Sequence, residues 1–363
     1  MKLALIGLAN AGKTTLFNAL TGQKLETPVY ATTSPEPNLG SVKVPDLRVD
    51  VLVKIFKPKK TVYATVDYMD FLGLTKGDMD QNRRVFDLAK EADALVHVLR
   101  GFEDEAVAHP MTSMDPVRDY DAGLSEQVFG DFDLVEKRLA RMEEAQKKGK
   151  KSDEAERKVL LKCKEILEKE TPLRHASFDA EDEKALRHLQ FISLLPEIVV
   201  LNVGENDLKS EKVNAWSAAL TQRMQKHTPG AAPIVLSGKI EMELTELLPE
   251  DATEFLKELG ISEPASHRLI HESYRMLGYI SFLTVGPDEV RAWTIREGTI
   301  AQKAAGKVHS DIERGFIRAE VAHYDEFMAD GSHAAARSAG HLRLEGKTYP
   351  VQDGDIIEFR FNV

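Results

Sequence analysis

Cysteine is nearly absent from this 363-residue chain: Cys163 stands alone. No intrachain disulfide can form, and a zinc site built on several thiolates is excluded. Such a chain suits a reducing compartment, and a cytoplasmic location is the expectation. Long hydrophobic runs are missing too. No stretch reaches the roughly 20 apolar residues that cross a bilayer, and the apolar N-terminal run leads into a glycine-rich loop rather than a cleavage site, so no membrane partner is expected. An excess of basic charge is also lacking. With 48 Lys and Arg against 59 Asp and Glu, the formal net charge is −11, which argues against a general nucleic-acid coat protein. A local basic patch is still compatible with these totals.

What the chain does contain is Gly7-Leu8-Ala9-Asn10-Ala11-Gly12-Lys13-Thr14, a full G-x-x-x-x-G-K-[ST] match. The run Leu3 to Ile6 reads as a buried strand and Thr15 to Leu20 as the opening of a helix, which is the context a phosphate-binding loop needs. Backbone N–H groups and the positive end of the helix dipole converge on the phosphates, Lys13 adds a cation, and Thr14 can ligate Mg²⁺. Asn10, Ala11, Gly12, Lys13, Thr14 and Thr15 are therefore candidate nucleotide-binding residues.

Strand-like runs continue at 61–69, 94–99, 198–201 and 234–236, alternating with helical segments in a doubly wound α/β pattern. Between them, 136–169 is dense in Lys, Glu and Arg and nearly free of Gly and Pro. Val135, Leu139 and Met142, then Leu160, Cys163 and Leu167, give each arm of a helical hairpin one apolar stripe, with Gly149 at the tip. Helical signals return at 253–259 and 266–277. Past Gly278, strands at 280–284, 290–295, 316–321 and 356–361 predict a small sheet-rich domain. The expected division is a nucleotide-binding domain of 1–127 and 196–277, an inserted helical domain of 128–195, and a C-terminal domain of 278–363.

A phosphate-loop hydrolase needs a carboxylate at the end of a neighbouring strand for the metal shell. Asp70-Phe71-Leu72-Gly73 supplies it, with Gly73 free of a side chain where its N–H approaches the γ-phosphate. The next position, a water-orienting glutamine in many related GTPases, is Leu74. The water must be positioned by another group, and His109 in the polar stretch 103–115 is a candidate. His109, Lys13 and Gly73 are thus the candidate catalytic residues. A switch threonine for Mg²⁺ is expected at Thr32 or Thr33, with Thr33 joining Thr14 and Asp70 as the candidate metal set.

Base recognition falls to Asn202-Val203-Gly204-Glu205, after the strand 198–201. Guanine-specific members of this class carry Asn-Lys-x-Asp here. Glu205 is one methylene longer than the aspartate, and Val203 replaces the lysine that packs on the base. Asn202 retains the geometry that pairs with N7 and N6 of adenine. ATP becomes the better expectation, with Ser237 and Gly238 donating from a final loop.

With these residues in hand, the chain resembles the YchF subfamily of Obg-like P-loop ATPases. The match runs from the phosphate loop through 70–77, 115–119, 239–244 and 291–321 to the terminal 352–363. The resemblance implies an antiparallel coiled coil for the insertion and a TGS domain of β-grasp type at the C-terminus. It also implies ATP preference over GTP, a hydrophobic residue at Leu74 and a hydrolytic loop histidine at His109. A ribosomal partner is implied, the large subunit or the whole ribosome. Arg291, Arg296, Lys303, Lys307, Arg314 and Arg318 offer a local basic supply for rRNA. The expected function is a slow Mg²⁺-dependent ATPase switch. Its alternatives are an ATP-sensing ribosome adaptor with incidental hydrolysis, and a GTPase of the Obg class.

Overall fold

The protein is described by a computed structural model covering residues 1–25, 36–149, 153–186 and 188–362. It divides into two compact units, one of 1–41 with 67–268 and another of 42–66 with 269–363. The first holds β1 (Lys2–Ile6), α1 (Lys13–Thr21), β2 (Asn38–Lys43), β4 (Thr65–Asp70), α3 (Met79–Ala89), β5 (Ala94–Gly101), α4 (Pro116–Lys147), α5 (Glu154–Leu167), α6 (Ala180–Leu186), β6 (Glu197–Val203), α7 (Glu211–Gln225), β7 (Ile234–Leu236), α8 (Gly238–Glu246), α9 (Pro249–Glu258) and the first turn of α10 (Ala265–Met276). Its sheet runs β2-β4-β1-β5-β6-β7. From β4 to β7 every pairing is parallel, so the strands' C-terminal ends share one edge, where α/β sheets bind ligands.

Leu3, Leu5 and Ile6 of β1 are fully buried, as are Leu95, Val96 and Val98 of β5. Burial on both faces explains why these strands read as continuous apolar runs rather than alternating ones. Each such side chain contributes about 1.5–3 kcal/mol relative to exposure.

Helix α4 is a single 32-residue element capped by Asp115, whose carboxylate accepts from the N–H groups of Val117 and Arg118, with Pro116 at its first turn. It crosses position 128 without a break and carries the nucleotide unit directly into the helical arm. Two glycines in its interior mark close approaches: a Cβ at Gly123 would lie 2.4 Å from the His97 ring, and one at Gly130 3.1 Å from Phe86. Val135, Leu139, Leu160, Cys163 and Leu167, read from sequence as facing stripes, meet in one buried cluster.

In the second unit are α2 (Leu47–Phe56), β3 (Lys60–Val62), β8 (Tyr279–Thr284), β9 (Glu289–Arg296), α11 (Ala301–Val308), α12 (Ser310–Arg314), β10 (Phe316–His323), α13 (Tyr324–Asp330), α14 (His333–Ala339), β11 (Arg343–Glu345) and β12 (Asp355–Phe361). Its sheet runs β11-β10-β12-β8-β9-β3. The antiparallel hairpin β8–β9 is followed by α11, whose Ala301, Ala304 and Ala305 pack on Phe282, Ile295 and Phe316, and β12 returns parallel to β8.

Residues 42–66 depart from the sequence reading, which assigned them to the nucleotide-binding domain. The run at 61–69 is split, and β3 leaves the first sheet to pair parallel with β9 through Lys60↔Glu289 and Val62↔Arg291. Arg48 of α2 binds both Asp46 and Asp353 within the same unit. The contacts that decide this are some 230 to 300 residues away along the chain, and local pattern carries no trace of them.

Candidate nucleotide site

The phosphate loop follows β1 directly. Gly7 has φ 141° and Gly12 φ 85°, backbone that favours glycine, and their neighbours forbid a side chain independently. A Cβ at Gly7 would meet the Val98 carbonyl at 2.3 Å, and one at Gly12 the Asn202 amide at 2.2 Å. Gly12 caps α1, so the helix opens at Lys13 with its first N–H groups facing the loop. Lys13 Nζ donates to Gly7 O at 3.3 Å and Leu8 O at 3.1 Å. Burial brings its ammonium down to about 8 against the opposing pull of Asp70. The result is a concave ring of donors with a buried cation, which fits a polyphosphate.

Thr14 Oγ1 donates to Asp70 Oδ2 at 2.8 Å, joining the start of α1 to the end of β4. Among the described residues, Asp70 Oδ1 is buried without a hydrogen bond of regular geometry. Burial pushes this carboxyl up, partly offset by Lys13, Thr14 and Asn38. An oxygen-only pair with an unused buried carboxylate oxygen suits a hard divalent cation. Thr32 and Thr33 lie outside the described residues.

Gly73 is required by contact with the phosphate loop, since a Cβ there would lie 2.3 Å from Ala9 Cα. The two segments are knitted by Leu74 N–H to Gly7 O at 2.9 Å and Ala9 N–H to Leu74 O at 3.1 Å. The Leu74 side chain is fully buried among Ile6, Leu8 and Phe86. Its apolar character serves the core. Downstream, Asn82 brackets Thr75, donating to its carbonyl and accepting from its N–H, and Glu126 of α4 accepts from Gly77 N–H at 2.8 Å and Asn82 Nδ2 at 2.7 Å.

His109 sits in a pinned loop. Arg100 donates to the carbonyls of Phe102, Val107 and Ala108, and Asn10 of the phosphate loop donates to Ala108 O at 3.0 Å. The His109 ring itself is turned to α4, with Nε2 3.0 Å from Asp119 Oδ2, while Nδ1 accepts from Met111 N–H at 3.1 Å. Burial lowers its pKa, with Asp119 opposing and Arg100 and Arg118 adding to the lowering. The ring is therefore neutral, with its proton on Nε2.

At the base end one expectation needs correction, that for Val203. Asn202 is buried, and its Nδ2 donates to Ala11 O at 3.1 Å while Oδ1 accepts from Gly238 N–H at 2.9 Å. Its side chain ties the phosphate loop to α8 and keeps a second Nδ2 hydrogen and a second Oδ1 lone pair. Val203 packs in the core with Leu99, Val213 and Leu220 rather than over a base. Thr15 stays near this junction, its methyl 3.5 Å from where a Gly238 Cβ would stand. The Ser237 hydroxyl is buried without a hydrogen-bond partner. Glu205 Oε2 accepts from Lys239 Nζ at 2.7 Å, and this pairing raises the Lys239 pKa.

Sequence reasoning missed Asn82, Arg100, Asp119 and Glu126. Only Asp119 carried a signal, as part of the Asp115-Pro116-Val117-Arg118-Asp119 run. The basic supply in the C-terminal unit is partly neutralised: Lys303 pairs with Glu313 at 2.7 Å, Arg314 with Asp311, and Arg291 lies 3.8 Å from Glu289.

Comparison with known proteins agrees with this geometry. Residues 2–127 match the family described as "50S ribosome-binding GTPase", and residues 279–362 match YchF-GTPase_C, described as "Protein of unknown function (DUF933)". The chain is 39% identical over 364 residues to "Ribosome-binding ATPase YchF" of Bacillus subtilis (strain 168), spanning 99% of this chain and 98% of that protein. It is 36% identical over 369 residues to "Obg-like ATPase 1" of Gallus gallus, spanning 100% and 92% respectively. The solved "Structure of the Schizosaccharomyces pombe YchF GTPase" superposes with a TM-score of 0.81 at 29% identity, covering 99% of this chain and 97% of that one. A phosphate loop, its partner carboxylate and full-length likeness agree: the chain belongs to the YchF family.

Proposed function

We propose that this chain is a slow, Mg²⁺-dependent ATPase whose nucleotide state governs its association with the ribosome. The observation that carries the reading is the Thr14–Asp70 pair at 2.8 Å with the buried Lys13 acting on the same carboxylate, Asp70 Oδ1 having no regular hydrogen bond among the described residues. Thr14 and Asp70 would hold Mg²⁺. The ion would supply positive charge to offset the charge that develops in γ-phosphoryl transfer. The chain's own groups do the rest. The loop N–H groups and Lys13 bind and orient the phosphates, the Gly73 N–H meets the γ-phosphate, and His109, once released from Asp119, orients water.

The relatives named ribosome-binding ATPases support a ribosomal partner. The helical arm and the C-terminal unit are the surfaces assigned to it, with rRNA within reach of Lys307 and Arg318. In the C-terminal unit a hairpin, a crossing helix and a central strand returning parallel to the first follow the β-grasp order, which supports a TGS domain over 278–363. An adaptor with incidental hydrolysis is the second reading, favoured by the burial of Leu74 and the parked His109.

Side-by-side calorimetric titration with ATP and GTP, with Mg²⁺ and with chelator, tests the reading. Tighter ATP binding that weakens on chelation, and is lost in Lys13→Ala, is expected. Tighter GTP binding overturns it and returns the chain to the GTPases.

A further inference from the structure

We propose that Gln81 is a positioning residue for γ-phosphate recognition: its amide, donating to the Gly73 carbonyl, sets how Gly73 faces the phosphate loop. The inference rests on the ATPase reading above and deepens it. Gln81 Nε2 lies 2.9 Å from Gly73 O and 3.2 Å from Thr75 Oγ1, and an amide nitrogen carries one hydrogen for each.

The ordinary role of a glutamine at this position is ruled out by its neighbours. Asp78 caps α3 and accepts from Gln81 N–H at 3.0 Å. Asp-x-x-Gln has the spacing of a capping box, in which the glutamine would accept from the N–H of the cap residue. Here the Asp78 N–H donates to Thr75 O at 3.1 Å instead, and the Gln81 side chain reaches past the cap to Gly73.

The carbonyl it reaches belongs to the Gly73–Leu74 peptide, whose N–H donates to Gly7 O at 2.9 Å. One edge of that peptide is tied to the phosphate loop and the other to α3. Glycine has the freest backbone, and a stiffer residue cannot take its place, because a Cβ at Gly73 would lie 2.3 Å from Ala9 Cα. A donor on Gly73 O supplies the restraint that a side chain cannot. With the peptide held, the Gly73 N–H assigned above to the γ-phosphate keeps one direction.

The test uses the full chain with Mg²⁺ and measures equilibrium affinities for ADP and for the hydrolysis-resistant β,γ-imido analogue of ATP, with single-turnover hydrolysis of ATP alongside. Gln81→Met keeps the length of the side chain and removes both donors. It is expected to lower the analogue-over-ADP affinity ratio about fivefold, the weight of one neutral hydrogen bond, with ADP affinity unchanged, and to slow hydrolysis at least as much. Gln81→Ala, as a second variant, should do the same. Parental ratios and rates in both variants, or equal losses of ADP and analogue affinity, overturn this assignment and leave the ATPase reading standing. No hydrolysis of ATP by the unaltered chain overturns both.

Discussion

The His109 ring is held between two groups: Nδ1 accepts from Met111 N–H at 3.1 Å, and Nε2 lies 3.0 Å from the Asp119 carboxylate without hydrogen-bond geometry. A neutral imidazole so engaged has no lone pair left to orient water. The role proposed for His109 would require the ring to leave both Met111 N–H and Asp119, and Asp119 would then act as a brake. Arg118 donates twice to Asp119 Oδ1, so Asp119→Asn should keep its amide oxygen there and turn its N–H₂ toward Nε2, and a ring with a single N–H cannot accept at both nitrogens. The grip fails. Turnover should rise several-fold in Asp119→Asn with ATP affinity held within about twofold, whereas His109→Ala should lower turnover by roughly a hundredfold. Single-turnover hydrolysis and titration on both variants decide it. A fall in Asp119→Asn as deep as in His109→Ala would mean that the carboxylate supports the working ring instead.

Glu126 links the segment after Gly73 to the helical arm. Both its oxygens are engaged, by Gly77 N–H and by Asn82, and it lies on the same continuous helix whose far half forms the arm. Glu126→Ala leaves a buried amide and a backbone N–H without their acceptor, at about 1–3 kcal/mol. Denaturant unfolding should register that cost, and hydrogen exchange should quicken over 74–82. If exchange also quickens along α4 past residue 130, nucleotide state has a physical route from phosphate loop to arm. Protection unchanged over 74–82 would remove the premise.

Much of this was legible in the sequence because it is local. The phosphate loop needs a strand, glycines and a helix within about twenty residues, and Asp70 follows an apolar run that can only be a buried strand. The facing stripes of the arm obey helical period. What stayed hidden depends on distant partners. Residues 60–62 carry too few apolar positions to declare a sheet, and their partner β9 is more than 220 residues on. Asn202 reads as a base contact because its type permits that role; only the fold reveals that the same amide also ties Ala11 to Gly238. Glu126 and Asp119 look like ordinary acidic residues on a helix until their donors arrive from elsewhere in the chain.

At the root of the arm, Glu197 is buried between His97 at 3.2 Å, Gln127 at 3.0 Å and Arg174 at 3.8 Å. Burial would raise its pKa, but Arg174, His97 and Gln127 outweigh it and hold the carboxyl at about 2. Arg174→Met strands a buried carboxylate and should cost about 3–5 kcal/mol. Adding Glu197→Gln should recover a large part of that. Because the folded pKa is depressed, the ion pair's contribution is present above the ordinary glutamate range and fades as pH falls toward 2. Urea unfolding at pH 7 and pH 4 should therefore show a wider gap between the parent and Arg174→Met at the higher pH. Equal losses in single and double variants would deny the coupling.

His175 supplies the pH dependence nearer neutrality. Its ring stacks on His227 with centroids 4.3 Å apart and planes 2° from parallel. Burial first, then Arg174 and His227, lower its pKa from 6.5 to about 4. The unfolded chain gains this proton as pH drops through 6.5, and the folded chain does not until about 4. Stability therefore declines with falling pH across that window, by at most about 1.4 kcal/mol per pH unit for one proton and by less where solvent screens the partly buried ring. His175→Phe keeps a flat ring against His227 and removes the titration. Thermal unfolding followed from pH 7 to pH 4 should show a shallower decline in His175→Phe, with the variants closest at pH 7. A decline as steep as the parent's would mean that His175 protonates freely in the folded protein and that its stacked, neutral state is not what the fold maintains.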